Sequence, residues 1–327
     1  MTTTTDTTMI GNGYSTHATE SFAGPVPMEK VRELFDFQVE YKPLWVHSDD
    51  SRFNGTRLTN CQAIVRSDNG VFLNTVSKSH GLHQFSDVLI ENLLKLIDAS
   101  EDQLEVAGAG LLKNGAVGWV QVQAPSLLAG HGDVAPTLTL ASSHDGSLAT
   151  SYRMGMYRFI CSNQIGALRG NSKNVFKLRH TANSSMNFSV ARDTLGVMWK
   201  HSAEFNRDIT QLIETSVINE EFDRIVNRLD PVLPSSATQS AQTRRKNRVE
   251  TISRLYHEDD RVRSFNGTGW GVVQAFNTYG QHERPCRAKG NTGSVSRLGR
   301  TMNNYLSGAI ALSDQKVVQA VLAEVSH

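Results

Sequence analysis

The side chains best suited to chemistry gather in a basic and aromatic run, Tyr152-Arg-Met-Gly-Met-Tyr-Arg-Phe159, which continues to Lys177-Leu-Arg-His180. Cations neutralise a phosphate backbone, and aromatic rings give bases a stacking platform worth about 1–3 kcal/mol per base. The expected phosphate contacts in this run are Arg153, Arg158, Lys177 and Arg179, with Tyr152 and Tyr157 as base-stacking residues. On a strand, alternation sends Tyr152 and Met154 to one face and Arg153 to the other, so rings and cations need not share a side. A second cluster, Thr243-Arg-Arg-Lys-Asn-Arg248, places Arg244, Arg245, Lys246 and Arg248 on one helix, where they suit phosphate or an acidic partner. Arg284, Arg287, Lys289, Arg297 and Arg300 form a third cluster among glycines, and Arg297 and Arg300 join the expected nucleic-acid contacts.

Other reactive side chains do not assemble into a familiar site. His80-Gly-Leu-His83 has the wrong spacing for a His-Glu-x-x-His zinc site, and His282-Glu-Arg-Pro-Cys286 reads as a turn, so no metal is expected. Cys61, Cys161 and Cys286 stand far apart, which excludes a disulfide framework and a Cys-x-x-Cys motif; Cys161 reads as a buried thiol at a strand end. Gly108-Ala-Gly110 lacks the third glycine of a dinucleotide fingerprint, and neither a phosphate loop nor a Gly-x-Ser-x-Gly elbow occurs. Gly267-Thr-Gly-Trp-Gly271 precedes a helical pattern and reads as a flexible start to it, with anion capture as the alternative. No cofactor is expected, and no reaction is declared.

These residues must be carried by an ordinary globular chain: 327 residues, 39% hydrophobic, 20% charged, with a net charge of +1. The balance hides a segmental asymmetry. Residues 1–150 hold 9 basic and 17 acidic side chains (−8), 151–200 hold 8 and 1 (+7), 201–240 hold 3 and 7 (−4), and 241–300 hold 12 and 5 (+7). Such blocks suit an anionic partner; the competing reading is that they pair with acidic surface from the first half of the chain. No run of about 18 apolar residues is present to span a membrane, and the polar start lacks a signal pattern, so the cytoplasm is expected.

Tight-turn signals predict three hairpins in the first half: Cys61–Arg66 with Val71–Val76 across Ser67-Asp-Asn-Gly70, Leu104–Leu112 with Val117–Gln123 across Asn114-Gly115, and Thr137–Ala141 with Ala149–Ile160 across His144-Asp-Gly146. Val175–Arg179 and Met186–Val190 suggest a further pair. A helix is expected from Ser86 to Asp98, and beyond residue 191 the apolar period turns helical, from Phe205 to Leu229, Gln242 to Tyr256, Trp270 to Tyr279 and Ser296 to Val325. The fold class is α+β: a largely antiparallel sheet of hairpins with a covering helix, then a helical C-terminal third. The expected organisation is a polar, Thr-rich leader over 1–33, partly flexible, a β-rich α+β domain over 34–190, and a helical region over 191–327 with a Pro/Ser-rich loop at 231–241, packed on the sheet.

Several blocks in order, Gly70-Val-Phe-Leu-Asn-Thr-Val, Ala107-Gly-Ala-Gly-Leu-Leu, Trp119-Val-Gln-Val, His144-Asp-Gly-Ser147, Arg158-Phe-Ile-Cys-Ser-Asn163, Leu178-Arg-His-Thr181 and Trp270-Gly-Val-Val-Gln-Ala-Phe-Asn-Thr-Tyr279, resemble the phage/plasmid-like family of proteins with an uncharacterised domain. The resemblance covers roughly residues 34 to 325. It implies a mobile-element origin and a role inside the bacterial host cell, and supplies no catalytic residues. The functional expectation is a nucleic-acid-binding accessory protein, with single-stranded DNA favoured, acting in replication or recombination with host or phage proteins, and free to form homo-oligomers. The alternatives are a module that binds a host factor through the acidic first half, or an enzyme without a recognisable motif that gathers His144, Asp145, Asn163 and His180.

Overall fold

Three pieces of left-handed backbone, at Gly70, at Asn114 with Gly115, and at Gly146, close the turns marked by Asn-Gly and Asp-Gly in the sequence. The computed structural model describes residues 7–12, 18–101, 103–124, 134–158, 163–168, 175–177, 188–286 and 297–325. Strands Thr7–Asn12 (β1) and Glu20–Phe22 (β2) precede a short helix, Met28–Leu34 (α1). Val39–Trp45 (β3), Arg57–Arg66 (β4) and Phe72–Ser77 (β5) form an antiparallel sheet of their own. A π-helical turn, Ser86–Ile90, then runs into Glu91–Ala99 (α2).

The larger sheet is completed by Glu105–Leu112 (β6), Val117–Gln123 (β7), Val134–Ser143 (β8), Ser151–Arg158 (β9), Asn163–Ile165 (β10) and Val175–Lys177 (β11). Its strand order is β10-β9-β8-β7-β6-β1-β2, with β11 also pairing with β9. Helices follow: Phe188–Glu214 (α3), Asn219–Leu229 (α4), Gln239–His257 (α5), Gly269–Thr278 (α6) continuing as a π turn over Tyr279–Glu283, Arg297–Ser307 (α7) and Ala309–Val325 (α8). The class is the expected α+β, and no helix among the described residues is long and apolar enough to cross a membrane.

The chain divides into two compact units. The first takes Met1–Pro125, Thr137–Met154 and Val175–Val197; the second takes Ser126–Pro136, Gly155–Asn174 and Met198–His327. Two features of the first unit differ from the sequence reading. Thr7–Asn12, within the expected leader, is a sheet strand, antiparallel to β6 and parallel to β2, because its β-branched threonines and the buried Met9 and Ile10 suit a covered strand. The stretch expected as a strand over Met186–Val190 is, where described, the start of α3, and β11 pairs with β9 instead.

Glycines in the first unit serve packing. A Cβ at Gly110 would lie 2.8 Å from the Trp119 indole, and one at Gly118 would meet Phe85 at 2.9 Å. Gly108-Ala-Gly110 therefore makes room for an indole. In the second unit, Trp270, Phe222 and Tyr256 anchor the helical core, with the Phe222 and Tyr256 rings stacked at 4.2 Å. At the start of α6, Gly267 has positive φ and the Thr268 hydroxyl accepts from the Gly271 N–H at 3.1 Å. A Cβ on Gly271 would stand 2.2 Å from the Phe265 carbonyl oxygen. The Gly267–Gly271 glycines thus serve close helix packing, and a threonine caps the end that could have drawn an anion.

Candidate nucleic-acid interface

The basic and aromatic run 152–158 becomes β9, and every residue of that strand is buried. Tyr152 and Arg158 are each 1% exposed, and Arg153 and Tyr157 are buried as well. The two tyrosines offer no ring face to a base, and the two arginines face protein, because β9 is covered on both sides. Arg158 donates to the Arg261 carbonyl at 2.7 Å and to Gln274 Oε1 at 3.4 Å, with its guanidinium 5.0 Å from the centre of the Phe265 ring. Nearby, the Asn163 amide donates to Gln274 Oε1 and Thr278 Oγ1, and its oxygen lies 3.0 Å from His282 Nε2. Gln281 holds β10 as a neighbouring strand would: its side-chain oxygen accepts from the Gln164 N–H and its NH₂ donates to the Gln164 carbonyl. His282 belongs to this structural network. Lys177 lies in β11 with its backbone opposite Ser151, while Arg179 falls outside the described residues, as do Cys161 and His180.

The α5 cations divide by role. Arg245 donates to the Asp230 and Pro231 carbonyls and to Asn227 Oδ1, and Arg248 makes a two-pronged pair with the Asp230 carboxylate. Lys246 reaches Glu250 at 3.7 Å on the exposed face, and Arg244 is exposed and donates to its own helix, at the Ser240 carbonyl. Arg254 and Arg261 pair with Asp259, and Arg261 also with Glu283. The second basic block is thus partly neutralised by carboxylates close to it in the chain. On α7, Arg297 donates to the His282 carbonyl, and Arg300 to the Arg284 and Pro285 carbonyls.

The polar turn residues of the first unit form a second cluster. His144 is 1% exposed, stacked on Phe85 at 3.8 Å, with the His83 ring 5.3 Å away. His83 Nε2 lies 2.9 Å from the Ser142 hydroxyl. Burial first, then the neighbouring His83, depresses the His144 pKa from 6.5 to about 3, so the ring is neutral at pH 7. No group of three metal-binding side chains occurs among the described residues. The depressed pKa makes the ring a stability sensor. Its contribution is fully present above pH 6.5 and is lost as pH falls toward 3, because the unfolded chain takes up the proton first. His144→Phe, which keeps the stack, should flatten the decline of the urea midpoint between pH 6.5 and 4 and change stability at pH 8 by no more than about 1 kcal/mol. An unaltered decline would contradict this.

The surface that sequence reasoning missed is the β3–β4 hairpin. Its ladder continues past the strands, with the Val46 N–H donating to the Thr56 carbonyl and the Gly55 N–H to the Val46 carbonyl, to a tip built on Asp50. There the Asp50 side chain accepts from the Arg52 backbone and guanidinium, and that guanidinium lies over the Phe53 ring at 5.5 Å. Trp45 is 59% exposed and Phe53 54% exposed, with Leu58 beside them in sequence on β4, also exposed. Trp45 is the cross-strand partner of Arg57, whose exposed guanidinium has no ion pair among the described residues. Two large rings and two arginines therefore stand in solvent at one end of a hydrogen-bonded ribbon. The signal was present: Ser48-Asp-Asp-Ser-Arg-Phe-Asn-Gly55 separates two strand-like runs, but a first hairpin begun at Cys61 leaves it out.

A family model matches residues 72–302, more than two thirds of the chain. The protein belongs to the DUF932 family, defined by a domain of unknown function. The DUF932 region begins at β5, so it takes in β6 to β11 and the helices through the first part of α7, while the whole β3–β4 hairpin precedes it. That span is narrower than the 34 to 325 of the residue-block resemblance and agrees with it in being an uncharacterised-domain family. No curated protein and no solved structure matches the chain.

Proposed function

We propose that this DUF932 protein is a nucleic-acid-binding accessory factor that holds single-stranded DNA, with the β3–β4 arm as its base-contacting surface. The mobile-element origin implied by the sequence blocks supports a role in phage or plasmid replication or recombination inside a bacterial cell. The observation that carries the reading is the pairing of exposed Trp45 and Phe53 with Arg52 and Arg57 on one ribbon. Solvent-facing Trp and Phe cost solubility, and their presence together marks a contact surface. Flat rings with adjacent guanidiniums suit bases that are unstacked and phosphates that follow them, whereas paired bases in a duplex hide their faces.

The test is fluorescence anisotropy of labelled single- and double-stranded oligonucleotides over a salt series. The expected result is preferential single-strand binding, with log K falling linearly in log salt by about 0.7 per phosphate neutralised. Equal affinity for duplex, or no binding at low salt, would overturn the assignment. In the latter case the arm would become a protein-docking surface, the reading in which the protein redirects a host factor.

A further inference from the structure

The second unit contains a cavity that the arm-based reading does not use. It has a volume of about 320 Å³ and is lined by the end of α4, α5, α6 with its π turn, and α8. Arg248, Arg284 and Lys316 line it, with Tyr279 and Ser313 between them. Against these three cations stands one carboxylate, Asp230, already paired with Arg248. Arg284 and Lys316 are exposed and have no ion pair among the described residues. The charge in the cavity is therefore uncompensated. Arg300, which donates to the Gly280 carbonyl, is held below its ordinary pKa, first by burial and also by the neighbouring Arg284 and Arg297 cations.

A second chamber of about 160 Å³ adjoins the first and shares Phe276, Gly280, Arg284 and Ser313 with it. Its other walls are hydrogen-bonding groups of a different kind: Asn277, Gln281, Asn304 and Asp314. Asp314 is 3% exposed and accepts from the Asn277 amide at 2.9 Å and the Gly166 N–H at 3.3 Å. Burial raises its pKa well above the usual carboxylate range. At the junction, a Cβ on Gly280 would meet nothing within 4 Å. Gly280, which has no side chain, thus lies on the wall of both chambers.

We infer that this cavity binds a nucleoside phosphate, with its phosphate at Arg248, Arg284 and Lys316 and its base at the Asn304 amide and the Asp314 carboxyl. Arginine and lysine around an aromatic ring recognise phosphate through charge-assisted hydrogen bonds. An amide and a carboxyl group match the mixed donors and acceptors of a base edge. The volume reaches the lower end of the range for small-molecule sites. The ligand is either a free nucleotide or the phosphorylated end of a strand, which share this chemistry.

The test is isothermal titration of the full chain with AMP, GMP, CMP and TMP, with inorganic phosphate, and with a short oligonucleotide carrying either a 5′-phosphate or a 5′-hydroxyl. At least one nucleotide should bind at least tenfold more tightly than inorganic phosphate. Gly280→Leu should abolish that binding by filling the junction, and Lys316→Gln should weaken it about tenfold. Thermal melting checks that both variants fold; Lys316 is exposed, so its variant keeps the test valid if Gly280→Leu does not. A strand-end ligand shows as a preference for the 5′-phosphate oligonucleotide, removed by the same variants. Binding of none of these probes, phosphate binding as tightly as nucleotides, or nucleotide binding unchanged in both variants would overturn the inference. Trp45→Ala separates it from the arm: that variant should leave nucleotide binding intact, and loss of DNA binding by the arm variant alone would bear only on the proposed function.

Discussion

Replacing Trp45 and Phe53 together by alanine should lower single-stranded DNA affinity about a hundredfold while leaving the fold untouched. Each ring that stacks a base is worth about 1–3 kcal/mol by alanine substitution, and two modest losses reach the two decades expected. Trp45 and Phe53 are 59% and 54% exposed, so their removal takes little from the core, and stability should move by no more than about 0.5 kcal/mol. Neither residue carries charge, so the slope of log K against log salt should stay that of the parent protein. Affinity measured by anisotropy and stability measured by urea unfolding check both halves. A double variant that binds as the parent does would remove the arm from the interface.

The opposite pattern is expected at Arg158. Arg158→Met leaves the Arg261 carbonyl and Gln274 without the guanidinium that donates to them, in a position 1% exposed, and takes a cation from the Phe265 ring. Gln274 Oε1 keeps its bond from Asn163, so the cost falls on the Arg261 carbonyl and the lost packing, and the expected loss is about 2–3 kcal/mol, or about 4 °C in Tm. Below that Tm, DNA affinity and its salt slope should be unchanged. A variant of normal stability whose slope falls by about 0.7 would instead make Arg158 a phosphate contact.

These two residues also show where the sequence was legible. Asn69-Gly70, Asn114-Gly115 and Asp145-Gly146 announce hairpins because only residues tolerant of positive φ fit those turns, and β4–β5, β6–β7 and β8–β9 flank them as expected. The helical period of Phe205 to Leu229 is helical as expected, and it separates into α3 and α4 between Glu214 and Asn219. Alternation on Tyr152-Arg-Met-Gly-Met-Tyr-Arg158 says which side chains oppose one another but not whether a face is covered, and here both are. The Arg248 and Asp230 pair joins residues on separate helices, which no local pattern reports. Trp45 and Phe53 were overlooked for the converse reason: an isolated Trp in a sequence reads as core, and only its placement on an extended ribbon shows it facing water.

The most direct measurement follows Trp45 itself. Of the four tryptophans, Trp119 and Trp270 are buried, while Trp45 and, less so, Trp199 are exposed. In a Trp199→Phe protein, the solvent-sensitive emission therefore reports Trp45. Titration with single-stranded oligonucleotide should quench that emission in step with the rise in anisotropy, since a stacked base replaces water on the indole. Saturating anisotropy with unchanged emission would show that DNA binds elsewhere, and the absence of both signals at low salt would contradict the account.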